Sequence, residues 1–137
     1  MNREAIKAFL PHREPMLLLD EADMDEGGNA LGQYTVRGDE WFLQGHFPGN
    51  PVVPGVILCE IIAQTAGVLI KDKLPGKTTL YAGMDGVKFR RMVRPGDTVR
   101  VTCAIVRQKA NVYVVSGEAT VEGAMCAGGT FTIMLAG

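Results

Sequence analysis

The chain has 137 residues, a length that suits one domain over residues 1–137. A hydrophobic fraction of 47% supplies a real core, and a formal charge of −1 offers no global field for nucleic acid or a membrane surface. Arg3, Glu4 and Lys7 are followed by no long apolar run, so no secretory leader is expected and a cytoplasmic location is.

Asn2 is placed to cap a short helix that runs to about Leu10 and stops at Pro11. Met16 to Asp20 is a short apolar run and reads as a strand. The acidic stretch Asp20 to Gly28 reads as a hairpin tip, since it lacks the spacing of a calcium loop. Asn29 to Gly38 reads as the return strand.

From Val52 to Ile70 the chain is almost wholly apolar. Pro54 and Gly55 interrupt its start, Glu60 and Gln64 lie inside it, and no basic flank precedes it. These features argue against a membrane span and for a buried central helix from Pro54 to about Lys73. At ~1.5 Å per residue that helix would be roughly 30 Å long.

After Pro75-Gly76 the period changes to two. Val99, Val101, Cys103 and Ile105 alternate with Thr98, Arg100, Thr102 and Ala104. Asn111 to Val121 and Met125 to Leu135 read as further strands, separated by short turns. Thr78 to Arg91 reads as one long strand, with Gly83 and Gly86 marking a bulge or a close backbone approach. The order of elements predicts an α+β fold in which an antiparallel sheet wraps one long helix.

The chemistry concentrates between residues 45 and 64. His46 lies in the stiff loop Gly45-His46-Phe47-Pro48-Gly49-Asn50-Pro51. An imidazole fixed there suits a general base near neutral pH. Pro54 opens the helix, and the N–H groups of Gly55 and Val56 lie at its positive end, where they can hold a developing oxyanion. Gly55 has no Cβ to keep a carbonyl oxygen away.

Glu60 is a lone carboxyl in an apolar helix, which is costly unless it is paired or neutral. Glu60, Ala63, Gln64 and Gly67 share one stripe, so Gln64 can bond and orient the acid. Burial favours the neutral carboxylic acid, which fits a general acid.

Other candidates read as structural. Cys59 points away from Glu60 around the helix, and Cys59, Cys103 and Cys126 read as small buried apolar residues. Three scattered cysteines and two histidines predict neither a metal site nor a disulfide. His12 has no nearby acid on a helix and reads as a structural, turn-capping residue. Lys88, Arg90, Arg91 and Arg94 form a basic cluster around Phe89. It suits a solvated strand end, or a dock for an acidic partner or a phosphate, and no nucleic-acid motif accompanies it.

These residues resemble the FabZ-type (3R)-hydroxyacyl-[acyl-carrier-protein] dehydratases of bacterial fatty acid synthesis. The resemblance runs from Leu10-Pro11-His12-Arg13 through the His46 loop, Pro54-Gly55-Val56, Glu60 and Ala63-Gln64. It continues to Val87-Lys88-Phe89-Arg90 and Pro95-Gly96-Asp97. It implies the hotdog fold and a homodimer, further assembled as a trimer of dimers, with His46 and Glu60 of each site supplied by different chains. It also implies loss of water from a 3-hydroxyacyl thioester to give a trans-2-enoyl thioester, with no cofactor and no metal. Phe89 and Tyr81 would line the acyl tunnel, and Lys88, Arg90, Arg91 and Arg94 would meet the acyl carrier protein and its phosphopantetheine.

Related dehydratase/isomerases carry Asp where this chain has Glu60, and are longer, which favours a dehydratase without isomerase activity. A hotdog thioesterase and a non-catalytic carrier-binding protein are the rival readings. A thioesterase would not need His46 in this loop, and a binder would need neither His46 nor Glu60.

Overall fold

A computed structural model describes residues 1–137. Asn2 caps α1 (Arg3–Lys7) by accepting a bond from the Ala5 N–H at 3.0 Å. The helix is shorter than expected, although Leu10 N–H still reaches back to the Ile6 carbonyl. The strands β1 (Glu21–Met24), β2 (Ala30–Thr35), β3 (Thr78–Phe89), β4 (Thr98–Lys109), β5 (Val112–Val121) and β6 (Ala124–Ala136) form one antiparallel sheet. Their order is β1-β2-β4-β5-β6-β3. The helix α2 (Gly55–Ala66) lies across the sheet's inner face. This is the α+β hotdog arrangement that the order of elements and the resemblance predict.

The expected strand at Met16 to Asp20 does not form. Leu17, Leu18 and Leu19 are all buried, so the run has no polar face, and the Leu18 N–H bonds the Gln64 side chain instead of a strand. The strand starts later, at Glu21, inside the stretch read as a hairpin tip. The turn itself is Asp25 to Asn29, closed by the Asp25 carboxylate on the Asn29 N–H at 2.9 Å.

The central helix is also shorter than the apolar run. Its α-helical part ends at Ala66, and Gly67–Lys73 continues as tighter 3-10 turns with a kink at Ile70. Gly67, a weak helix former, sits where a Cβ would lie 2.8 Å from a Leu10 methyl. The N-terminal segment can therefore press against the helix end.

Glycines also let α2 settle onto the sheet. A Cβ on Gly32 would collide with Thr65, and one on Gly117 would collide with Ile62. Ile61 and Ile62 are fully buried, and the Cys103 thiol lies 3.3 Å from the Ile62 carbonyl. Close packing at these points fixes the rotation of α2. The Glu60 stripe is thereby turned away from the sheet centre and towards β3 and the Leu10 to His12 segment. The register of β3 against β6 shifts between Tyr81 and Gly83 and between Asp85 and Lys88, at the two glycines expected to mark bulges.

Candidate active site

His46 follows a short 3-10 turn, Trp41–Leu43, whose Leu43 carbonyl accepts the His46 N–H. The loop tip is closed by paired backbone bonds between Phe47 and Asn50. The Val52 N–H then donates to the His46 carbonyl at 2.8 Å, and His46 Nδ1 lies 2.8 Å from the Val52 carbonyl. A carbonyl oxygen accepts and never donates, so Nδ1 carries the ring proton. The lone pair is left on Nε2, which is the atom a general base needs. The ring stacks on Phe47 with centroids 4.0 Å apart, which further fixes its plane.

His46 opens into a shallow, mainly apolar depression shared with Gly55, Val56, Phe89, Met92 and Cys126. The N–H groups of Gly55 and Val56 donate to no acceptor in the chain, while Ile57 N–H bonds the Pro54 carbonyl. The free helix end expected from Pro54-Gly55-Val56 is therefore present. The space beside Gly55, however, is taken by an aromatic ring. A Cβ there would lie 2.8 to 3.1 Å from three ring atoms of Phe89. Gly55 thus admits the Phe89 ring against the helix start. The space expected to let a carbonyl oxygen approach is therefore shared with that ring.

Glu60 opens into a separate cavity of about 60 Å³, lined by Leu10, His12, Gln64, Ile70 and Tyr81 among others. Gln64 is 1% exposed, and its amide is oriented by its partners. Its Oε1 accepts the Leu18 N–H at 2.8 Å, and its Nε2 donates to the Met16 carbonyl at 2.7 Å and to Glu60 Oε2 at 2.9 Å. The orienting role read from the four-residue spacing thus has its geometry.

The His12 side chain caps no turn, contrary to what its residue type and place suggest. Its Nε2 lies 3.3 Å from Glu60 Oε2, 48 residues away in sequence, so it does have an acid beside it. The Arg13 guanidinium ties the segment down by donating to the carbonyls of Lys7, Leu10 and His12. The Leu10-Pro11-His12-Arg13 run was the available signal. Its partner was invisible because nothing in the sequence brings α1 to the side of α2.

Tyr81 closes the same cavity from β3. Its hydroxyl donates to the Cys59 carbonyl at 2.7 Å. Burial of that end drives the phenol well above its ordinary pKa, so it stays a donor. Burial likewise raises the Cys59 thiol, and it pushes Cys103 up to about 12. Such thiols are poor nucleophiles, in agreement with the structural reading of both.

In the basic cluster, Lys88 and Arg90 have exposed side chains. Arg91 is half-buried and donates to the Val121 carbonyl, and Arg94 donates to Asn50 Oδ1 at 2.6 Å. Two of the four cations are therefore also braces for the His46 side of the site. No three His, Cys, Asp or Glu side chains gather to hold a metal ion, and no helix is long and apolar enough to cross a membrane.

Residues 10–129 match the family model of the FabA-like domain. A curated relative from Oenococcus oeni, a "3-hydroxyacyl-[acyl-carrier-protein] dehydratase FabZ", is 45% identical over 90% of this chain and 91% of its own. A second, from Streptococcus gordonii and of the same name, is 44% identical over 96% of this chain and 95% of its own. The chain belongs to the FabA-like family, within its FabZ-type dehydratases.

Among solved structures, the dehydratase heterocomplex ApeI:P from Xenorhabdus doucetiae superposes with a TM-score of 0.82 at 20% identity. The alignment covers 96% of this chain and 91% of that one. A hypothetical thioesterase with coenzyme A from Streptococcus pneumoniae superposes at 0.63 with 19% identity, over 85% of each chain. At these identities the two share the fold.

Proposed function

We propose that this chain is a 3-hydroxyacyl-[acyl-carrier-protein] dehydratase of fatty acid biosynthesis, working as one domain over residues 1–137. The observation that carries this reading is the pairing of a base-ready imidazole with an oriented acid. His46 presents an unprotonated Nε2, and Gln64 holds Glu60 by Oε2. The names of the relatives supply the substrate class.

In this reading His46 Nε2 takes the C2 proton of the 3-hydroxyacyl thioester. The electron pair of the C2–H bond moves towards the thioester carbonyl, whose oxygen is held by the Gly55 N–H, with Val56 adjacent. The pair returns to form the C2–C3 double bond as the C3–O bond breaks. Glu60 gives its proton to the departing hydroxyl, which leaves as water. The proton on His46 then returns to Glu60 through solvent, and the enzyme is reset.

The two groups line different depressions of one chain. That separation supports a site built from two chains, His46 from one and Glu60 from the other. The edge strand β3 supports the same reading, since Leu80, Tyr81, Met84 and Phe89 are each at least 40% exposed along it. A homodimer joined through β3 would cover them, and a trimer of such dimers is the larger assembly proposed. Acyl carrier protein is the proposed partner, docking on Lys88, Arg90, Arg91 and Arg94, and the cytoplasm is the proposed location.

Incubating the protein with 3-hydroxyacyl carrier protein and following the acyl group by mass tests the reading. Loss of one water is expected. Release of free acid would identify a thioesterase, and an unchanged substrate would identify a binder.

A further inference from the structure

Glu60 Oε2 faces two nitrogen atoms, one of Gln64 and one of His12, at 2.9 and 3.3 Å. The Gln64 nitrogen is a donor, because its amide oxygen is committed to the Leu18 N–H. The His12 ring is settled by its other nitrogen. Nδ1 is buried with no hydrogen-bond partner. A neutral imidazole carries one N–H and one lone pair. Placing the proton on Nδ1 would bury a donor with nothing to accept it, and would turn a lone pair towards the carboxyl oxygen. Placing it on Nε2 turns the positive end of the N–H dipole towards the carboxyl oxygen 3.3 Å away and leaves the cheaper empty lone pair at Nδ1.

We propose that His12, as its Nε2–H tautomer, is a positioning residue for Glu60, holding Oε2 as an acceptor so that the transferable proton resides on Oε1. The proposal rests on the dehydratase reading given above. With the Gln64 amide bonded to Oε2 and the His12 ring nitrogen 3.3 Å from it, a proton there would meet N–H groups from both sides. Oε1 has no partner in the chain and is not sealed from solvent. It is therefore the oxygen free to carry a proton and pass it to a C3 hydroxyl. The ring keeps its place because Arg13 gathers the carbonyls on either side of Pro11, with His12 itself among its acceptors at 2.7 Å. His12 touches the acid and not the substrate.

The test compares two leaving groups. A 3-hydroxyacyl thioester needs a proton on its leaving oxygen, and a 3-chloroacyl thioester leaves as chloride without one. With His12→Ala, kcat for the hydroxy substrate is expected to fall on the order of 10- to 100-fold, with KM within about twofold. Enzyme-catalysed elimination of chloride is expected to fall less than about threefold, because His46 and the oxyanion site are untouched. His12→Gln restores an amide donor in place of the Nε2–H and is expected to recover most of the lost rate.

Equal losses on both substrates, with Gln no better than Ala, would overturn the proposal and mark His12 as structural. Wild-type rates in His12→Ala would overturn it as well. If the unsubstituted protein removes no water from the hydroxy substrate, the dehydratase reading itself fails, which is a separate outcome.

Discussion

His46 and Glu60 lie fourteen positions apart in sequence, yet no residue lines both of their depressions. His46 is turned outwards on the helix's entry loop by its bond to Val52, and Glu60 faces the cavity closed by Leu10, His12 and Tyr81. The proposed base and acid, so divided, give testable behaviour in mixtures.

His46→Ala and Glu60→Gln are each expected to lose at least about 100-fold in kcat, as removal of a general base or acid does. When equal amounts are mixed and allowed to exchange subunits, about one quarter of wild-type activity should return. Half of the pairs are then mixed, and each mixed pair holds one intact site of two. No recovery after exchange shown by native mass spectrometry would place both groups of a site in one chain.

The contact between Gly55 and Phe89 predicts a cost that is kinetic and not structural. In Gly55→Ala the new methyl needs the space of the Phe89 ring, which is 53% exposed and free to swing away. The melting temperature should move by only a few degrees, about what 1 kcal/mol would cause. The ratio kcat/KM should fall about tenfold, since a displaced ring changes the approach to His46. Gly55→Ala combined with Phe89→Ala should recover part of it. A double variant no better than the single one would show that the methyl acts directly on substrate.

Lys88 and Arg90 are the two cations of the basic cluster whose side chains make no hydrogen bond to the protein, so charge reversal there should leave the fold unharmed. Lys88→Glu with Arg90→Glu is expected to raise KM for a carrier-protein substrate about tenfold, and the effect should shrink at high salt. A short pantetheine thioester should be turned over at the wild-type rate. Equal losses on both substrates would remove the docking role.

Asp20 ties the N-terminal segment to the sheet. Burial alone would raise its carboxyl pKa, but bonds from Arg37 at 2.6 Å, the Thr35 N–H at 2.8 Å and Arg3 outweigh burial and lower it. A carboxyl lowered by folding stabilises the fold above its ordinary range, and that stability is lost as pH falls through the folded value. Asp20→Asn should therefore cost about 1.5–3 kcal/mol at pH 7, the range for bonds to charged groups. The gap from wild type should narrow as pH falls below about 4. Urea unfolding at both pH values measures it, and a gap independent of pH would mean that packing and not charge is lost.

Much of the site was legible because its signals are local. The stripe of Glu60 and Gln64 needs only the helical period, and Gly83 and Gly86 announced irregularity within β3 by themselves. The rest depends on distant partners. Met16 to Asp20 reads as a strand, but Gln64, far along the chain, claims the Leu18 amide. His12 reads as a turn cap because its partner lies 48 residues on. Gly55 looked open because Phe89, which fills its side, comes from another element. Periodicity describes an element's faces and says nothing of which neighbour arrives there.

The two ends of the sheet are unlike. At β1 the chain covers its own edge, since the Met1 amino group donates to the Ala22 carbonyl at 2.9 Å and the Met1 carbonyl accepts the Ala22 N–H. At the opposite end, β3 offers twelve residues with no strand beyond them. In the proposed homodimer two β3 edges that meet leave each chain only its short β1 edge, on which Met1 already sits at Ala22, so that growth of the sheet into a fibre is disfavoured.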